Sequence, residues 1–142
     1  MRIFFAGSIR SGRNLLPLYK QIIQLLKRMG HTIVSEHVAS AKLEEAEARL
    51  TEEEIFRSDI NFIDECDCLV AEVTMPSTGV GYEICHAVSN GKRVLCLYKE
   101  GTNVSAMVLG NRGVISVPYV DMEGLEKRLA LYFKNQTENS GI

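Results

Sequence analysis

Glu83 is a carboxylate at a position where helical periodicity predicts a side chain facing the protein interior. The helix predicted over residues 80–90 has an apolar face, and Glu83 lies on or beside it, three residues after Val80 and four before Ala87. A buried carboxylate is uncommon, and one near a helix N-terminus is favoured in its ionised form. We expect Glu83 to be kept charged, as a nucleophile or an electrostatic stabiliser. The alternative is a solvent-facing glutamate that only complements the helix dipole.

Asp59 interrupts the apolar stripe of another predicted helix, four residues after Ile55 and four before Ile63. Burial of a carboxyl group without a cationic partner favours its protonated form. One ionised and one protonated carboxyl group is the usual division of labour in the cleavage of glycosidic bonds. The pair therefore favours such chemistry. The alternative is that Asp59 only accepts a hydrogen bond from a backbone amide of a neighbouring loop.

A turn rich in proline and glycine, residues 74–83, leads from a predicted strand into the helix of Glu83. In open α/β sheets, anionic ligands bind where the carboxyl end of a strand faces a helix N-terminus. Ser77 and Gly79 lie at this point, so we expect Ser77 to contact a phosphate. The alternative is that Ser77 only caps the helix.

A loop after the first predicted strand is a second candidate for anion binding. Glycines there permit close backbone approach, and hydroxyl and guanidinium groups can bind an anion. The loop lacks the signatures of P-loop and dinucleotide-binding proteins, so a polar turn with solvated arginines stays open. Its residues are Gly7, Ser8, Ile9, Arg10, Ser11, Gly12 and Arg13.

The cysteines and histidines follow no metal-ligand or nucleophile pattern. Cys66 and Cys68 are separated by one residue rather than two, and no histidine stands at ligand spacing. His37, at the end of a predicted strand, is typical of a hydrogen-bonded structural residue. We expect reduced thiols, no metal and no cofactor.

Continuous apolar runs alternate with helical patterns along the chain, which predicts a parallel sheet covered on both faces. Five strands suggest an α/β, doubly wound fold of flavodoxin-like or Rossmann-like type, with strand order 2-1-3-4-5. We predict a single domain over residues 1–134 and a polar tail over 135–142. The predicted strands are 2–6, 32–37, 67–73, 93–98 and 114–119, and residues 40–50 are predicted as a short helix or a loop.

The composition is that of a soluble globular protein of 142 residues, with 46% hydrophobic and 24% charged residues. A net charge of −2 gives no basic excess for a nucleic-acid polymer or a membrane surface. No apolar run approaches the roughly 18 residues that span a bilayer. Met1 and Arg2 lead directly into a strand without a signal peptide. We therefore expect a cytoplasmic protein, or a nuclear one in a eukaryote.

Four segments together resemble the 2'-deoxynucleoside 5'-monophosphate N-glycosidases, which are relatives of the nucleoside 2-deoxyribosyltransferases. The resemblance covers nearly the whole chain, to about Phe133, and is most specific in Pro-Ser-Thr-Gly-Val-Gly-Tyr-Glu. The segments are Phe-Phe-Ala-Gly-Ser-Ile-Arg-Ser-Gly-Arg (4–13), Ser-Glu-His-Val (35–38), the run 71–83 and Val-Ser-Ala-Met (104–107).

The resemblance implies a Rossmann-like homodimer of nucleotide metabolism that hydrolyses a nucleoside monophosphate to free base and sugar 5-phosphate. Glu83 matches the family nucleophile, and Asp59 matches the carboxyl group that assists as acid and orients the sugar. The remaining matches are contacts with the substrate. Ser77, Gly79 and the loop 7–13 match contacts with the phosphate and nucleotide. His37 matches a histidine on the base side of the pocket. Ser105 and Met107 match residues that reach the site from across the dimer interface.

Phe4 departs from the deoxynucleotide-specific pattern, in which a tyrosine contacts the sugar, and matches relatives that act on ribonucleotides. We favour hydrolysis of 2'-deoxynucleoside 5'-monophosphates. The alternatives are a glycosidase of ribonucleoside (for example cytidine) monophosphates, a nucleoside 2-deoxyribosyltransferase, and a non-catalytic nucleotide-binding module.

Overall fold

A five-stranded parallel sheet forms the centre of the computed structural model, which describes residues 1–9, 13–35, 45 and 47–140. Its spatial order is β2-β1-β3-β4-β5 with every pairing parallel, which confirms the predicted order and fold class. The strands are β1 (Arg2–Gly7), β2 (Thr32–Ile33), β3 (Cys68–Glu72), β4 (Arg93–Lys99) and β5 (Val114–Tyr119).

Helices alternate with the strands along the chain. A 3₁₀ turn (Arg13–Leu15) precedes the first helix. The helices are α1 (Leu16–Arg28), α2 (Glu52–Glu65), α3 (Thr78–Ser89), α4 (Ala106–Leu109) and α5 (Met122–Ser140).

Local hydrogen bonds fix the start of the two helices that carry the candidate carboxylates. Thr51 Oγ1 accepts from the Glu54 amide at 3.1 Å, and the Glu54 carboxyl accepts from the Thr51 amide at 3.2 Å. These two hydrogen bonds form a capping box at the start of α2. Ser77 Oγ accepts from the Val80 amide at 3.2 Å and so caps α3, as the alternative interpretation of Ser77 required.

Two apolar clusters lie on opposite faces of the sheet, as in a doubly wound fold. Phe5 points into the cluster that α1 and α5 cover, and Phe4 points into the cluster that α2 and α3 cover. The alternation of neighbouring side chains along β1 places both rings in the core.

The second strand is shorter than predicted in the part that the structure describes. It ends at Ile33, and Ser35 lies in a turn instead of extending the ladder. The Ser35 hydroxyl is buried, accepts from the Phe5 amide at 2.6 Å and donates to the Phe5 carbonyl at 2.8 Å. The Ser35 side chain thus makes the two hydrogen bonds that the backbone of a longer β2 would otherwise make to Phe5 of β1. Positions 36 and 37 of the predicted strand lie outside the described residues.

The last helix is longer than predicted. α5 continues to Ser140, past the boundary at 134 beyond which we expected a polar tail. The Thr137 hydroxyl donates to the Phe133 carbonyl at 3.0 Å, one helical turn back. No helix in the described part of the chain is long and apolar enough to cross a membrane.

Candidate active site

A cleft of about 460 Å³ opens at the carboxyl ends of the central strands, where α2 faces the first turns of α3. It contains both predicted catalytic carboxylates and several of the predicted binding residues. Its lining comprises Gly7, Ile9, Glu47, Ile55, Asp59, Ser77, Thr78, Gly79, Val80 and Glu83.

Packing of α2 on α3 brings the two carboxylates to this cleft. Ile63 on α2 and Ile84 on α3 are buried in the same apolar cluster, while Asp59 and Glu83 stand partly buried beside them. A polar contact holds the far ends of the two helices. His86 Nε2 lies 2.9 Å from an Asp64 carboxyl oxygen.

Burial raises the pKa of Glu83 from its ordinary value to about 8, and the negative charges of Asp59 and Glu47 add to this effect. The prediction that the helix dipole keeps Glu83 ionised is therefore wrong. Loss of water and repulsion from two neighbouring carboxylates outweigh the dipole of α3. The role of Asp59 as the protonated acid stays a prediction.

Position 7, where the first loop begins, is a glycine because the ring of Tyr19 packs directly against it. A Cβ atom there would lie 2.7 Å from the ring of Tyr19, so no larger residue fits without displacing that ring. Tyr19 also donates to the Ser8 carbonyl at 3.4 Å. Ser8 is buried and is not part of the cleft lining. Of the other predicted residues of this loop, Arg13 begins the 3₁₀ turn.

Four predicted binding residues lie outside the part of the chain that the structure describes. They are Arg10, Ser11, Gly12 and His37.

Phe4 is fully buried in the core cluster under α3 and is not among the residues that line the cleft.

Ser105 and Met107 line a different cavity of about 590 Å³ on the other side of the α3 N-terminus. Ser77 borders both cavities. Met107 is 85% exposed, although its side chain is large and apolar.

Glu47, Glu72 and Tyr119 were not singled out by the sequence analysis. Glu47 was missed because it lies in a polar segment without a clear pattern. Glu72 is 1% exposed, and the sequence feature that could have revealed it is an acidic residue at the end of an apolar strand.

No group of three or more potential metal ligands occurs within the described residues.

A family model described as nucleoside 2-deoxyribosyltransferase matches residues 3–138. The chain belongs to this family. This confirms the resemblance stated from the sequence motifs.

Similar curated proteins carry names of one activity. A protein of Methanococcoides burtonii, named "Putative 2'-deoxynucleoside 5'-phosphate N-hydrolase 1", is 47% identical over 111 residues, which cover 78% of this chain and 91% of that protein. The rat 5-hydroxymethyl-dUMP N-hydrolase is 45% identical over 112 residues, with coverages of 76% and 68%. The zebrafish protein of the same name is 36% identical and covers 98% of this chain and 100% of its own length.

A solved structure shares the fold. The Clostridium botulinum CMP N-glycosidase BcmB superposes with a TM-score of 0.66 over 93% of this chain and 99% of its own, at 21% sequence identity. At this identity the likeness establishes the architecture of the sheet and its helices.

The raised pKa of Glu83 predicts a specific dependence of stability on pH. Since the folded state binds this proton more tightly than the unfolded chain, stability falls as pH rises from about 5 through the folded pKa of about 8. Glu83→Gln cannot titrate. At pH 9 we expect the free energy of unfolding of this variant to exceed that of the native protein by at least about 1 kcal/mol. At pH 5 the two free energies of unfolding should differ little.

Urea unfolding at the two pH values measures this difference. Glu126→Gln, on the exposed surface of α5, is the matched control and should follow the native protein. Parallel pH profiles for Glu83→Gln and the native protein would show that Glu83 is not perturbed.

Proposed function

We propose that this protein hydrolyses the N-glycosidic bond of 2'-deoxynucleoside 5'-monophosphates, releasing the free base and 2-deoxyribose 5-phosphate. The observation that carries the proposal is the presence of Asp59 and Glu83 in one cleft with Ser77 and Gly7. Two carboxyl groups suit cleavage at an anomeric carbon, and a helix N-terminus beside a glycine loop suits a phosphate. The names of the similar proteins support the same reaction.

Glu83 is the nucleophile in this proposal. The proton that Glu83 holds at rest passes to Asp59, and the Glu83 carboxylate then attacks the anomeric carbon. The base leaves with the electron pair of the broken C–N bond and takes that proton from Asp59. Water then replaces Glu83 at the same carbon, and Asp59 receives the proton of that water.

The burial of Glu83 favours this reaction electrostatically. A carboxylate that is poorly solvated and lies near the negative charge of Glu47 gains most when positive charge develops on the sugar. The interaction is therefore stronger in the oxocarbenium-like transition state than in the ground state, which is the requirement for catalysis.

The phosphate binds between the α3 N-terminus and the first loop. Ser77, the backbone around Gly79 and the loop 7–13 with its two arginines supply the donors. A pocket built for a phosphate leaves buried donors unpaired when a bare nucleoside binds, and so it rejects that ligand.

A homodimer completes the phosphate site. Ser105 and Met107 lie around a cavity that shares Ser77 with the catalytic cleft, and Met107 exposes 85% of its surface. A second copy seated on this surface would bury Met107 and bring its Ser105 to the phosphate of the first. His37 lies on the base side of the pocket in this proposal.

A glycosidase of ribonucleoside monophosphates is the second candidate, because position 4 holds a phenylalanine where the deoxynucleotide-specific pattern has a tyrosine. The family name also keeps transfer of deoxyribose to another base as an alternative.

We place the protein in the cytoplasm, since its four cysteines are free thiols, three of them buried.

Release of free base from paired ribo- and deoxyribonucleoside monophosphates tests the proposal. We expect turnover of the deoxynucleotides, including 5-hydroxymethyl-dUMP, without any acceptor base. Glu83→Gln should lower kcat by at least about a thousandfold, because the bond-forming carboxylate is lost, while the monophosphate still binds.

Chromatography of the released base and calorimetry of monophosphate binding give the two readouts, with Glu126→Gln as the control. Faster turnover of ribonucleotides would favour the second candidate. Activity that appears only on nucleosides plus an acceptor base would favour the transferase, and near-native turnover by Glu83→Gln would exclude the nucleophile role.

Mixing two defective variants tests the composite site. In a dimer formed from Glu83→Gln and Ser105→Ala chains, one site carries both changes and the other carries neither. We expect kcat/KM of the mixture at low substrate to exceed the mean of the two separate variants. A value equal to that mean, or a monomer in sedimentation analysis, would show that Ser105 does not act across an interface.

A further inference from the structure

Glu72 is a buried carboxyl group that the proposed reaction does not use. It is the last residue of β3 and is 1% exposed. Its side chain shares a sheet face with Val70, two residues earlier, which lies in the cluster covered by α1 and α5. Glu72 is not part of the catalytic cleft lining. A buried carboxyl group generally stabilises a fold less than an apolar residue of the same size, so its contribution lies in what it holds.

Both oxygens of Glu72 hold parts of the sheet edge. One accepts from the Thr74 amide at 2.6 Å, and the other accepts from the Tyr119 hydroxyl. Thr74 Oγ1 in turn accepts from the Lys99 amide at 3.1 Å. The chain that leaves β3 is therefore tied to β4 and β5 three residues before Ser77.

Tyr19 extends this arrangement to the first loop. Its hydroxyl donates to the Ser8 carbonyl, and its ring lies against Gly7. Burial, the Glu72 carboxyl and the nearby Tyr19 raise the pKa of Tyr119 well above its ordinary value, which keeps its hydroxyl protonated as a donor. Glu72 also pairs with Gly7 across the sheet, so it lies between the start of the first loop and the turn that leads to Ser77.

We propose that Glu72 is a positioning residue for phosphate recognition, because it fixes the turn that carries Ser77 relative to the loop that begins at Gly7. This inference rests on the proposed function of the cleft. Without Glu72, the Thr74 amide loses its acceptor and the path from β3 to α3 gains freedom. Ser77 and the first amides of α3 then lose their alignment with the first loop, whereas Asp59 and Glu83, anchored in helix interiors, keep theirs.

The variants separate the geometric role from a general loss of stability. Glu72→Met has similar size and no acceptor. Glu72→Gln is the conservative variant, since its amide oxygen can accept from Thr74 and its amide nitrogen can donate to the Tyr119 hydroxyl. Tyr119→Phe keeps the carboxyl group but removes one of its anchors, and it serves if Glu72→Met does not fold.

We expect Glu72→Met to raise KM for a deoxynucleoside 5'-monophosphate by about tenfold or more, with kcat changed by less than about threefold. The dissociation constant of 2-deoxyribose 5-phosphate should rise by the same factor, and that of 2-deoxyribose should not change. Tyr119→Phe should show a smaller shift of the same kind, and Glu72→Gln should restore near-native values.

Three results would overturn the inference. The first is an unchanged dissociation constant for 2-deoxyribose 5-phosphate in the folded Glu72→Met or Tyr119→Phe variant. The others are an equal loss of kcat and phosphate affinity, and a failure of Glu72→Gln to restore near-native values. Calorimetry with 2-deoxyribose 5-phosphate does not depend on turnover. A native protein that binds this ligand but releases no base would therefore count against the proposed reaction and leave the test of Glu72 intact.

Discussion

The burial of Glu83 in a cleft that it shares with two other carboxyl groups is the constraint on which the rest of the site depends. Glu83 carries a pKa near 8 because burial and the charges of Asp59 and Glu47 act on it together. Such a group costs folding free energy at neutral and higher pH. The helices that carry it must therefore be held by interactions elsewhere.

Those interactions lie in the ends and the shared core of the two helices. The capping box that begins at Thr51 fixes the start of α2, and the hydroxyl of Ser77 fixes the start of α3. Ile63 and Ile84 pack the helices together beneath the cleft. At the far end, Lys92 donates to the Asp64 carbonyl at 2.9 Å, in addition to the contact of His86 with the Asp64 carboxyl. The strain at the carboxyl pair is thus offset by ordinary packing and capping on both sides of it.

Much of this arrangement was predictable from sequence because it follows from local patterns. Apolar runs alternating with helical stripes indicated the strands and helices, and Thr51 followed three residues later by Glu54 has the pattern of a capping box. The spacing of Asp59 and Glu83 placed both on inward faces, and the parallel sheet then brought their helices to one edge. These inferences succeeded because each depends on residues within about two helical turns.

The features that were not predicted depend on distant contacts or on solvent. β2 ends early because Ser35 bonds to Phe5, a residue thirty positions away. The protonation of Glu83 depends on how much water and how many charges surround it, which spacing does not report. Glu72 accepts a hydrogen bond from Tyr119, which another strand supplies, and spacing along the chain does not report that contact.

The central claim is that Glu83 forms a covalent bond with the sugar, and mass spectrometry of rapidly quenched enzyme tests it most directly. Digestion after mixing with a deoxynucleoside monophosphate should give a peptide containing Glu83 with one 2-deoxyribose 5-phosphate attached, and the same peptide should be unmodified without substrate. A burst of free base with no modified peptide, or the sugar phosphate attached at Asp59, would contradict the account.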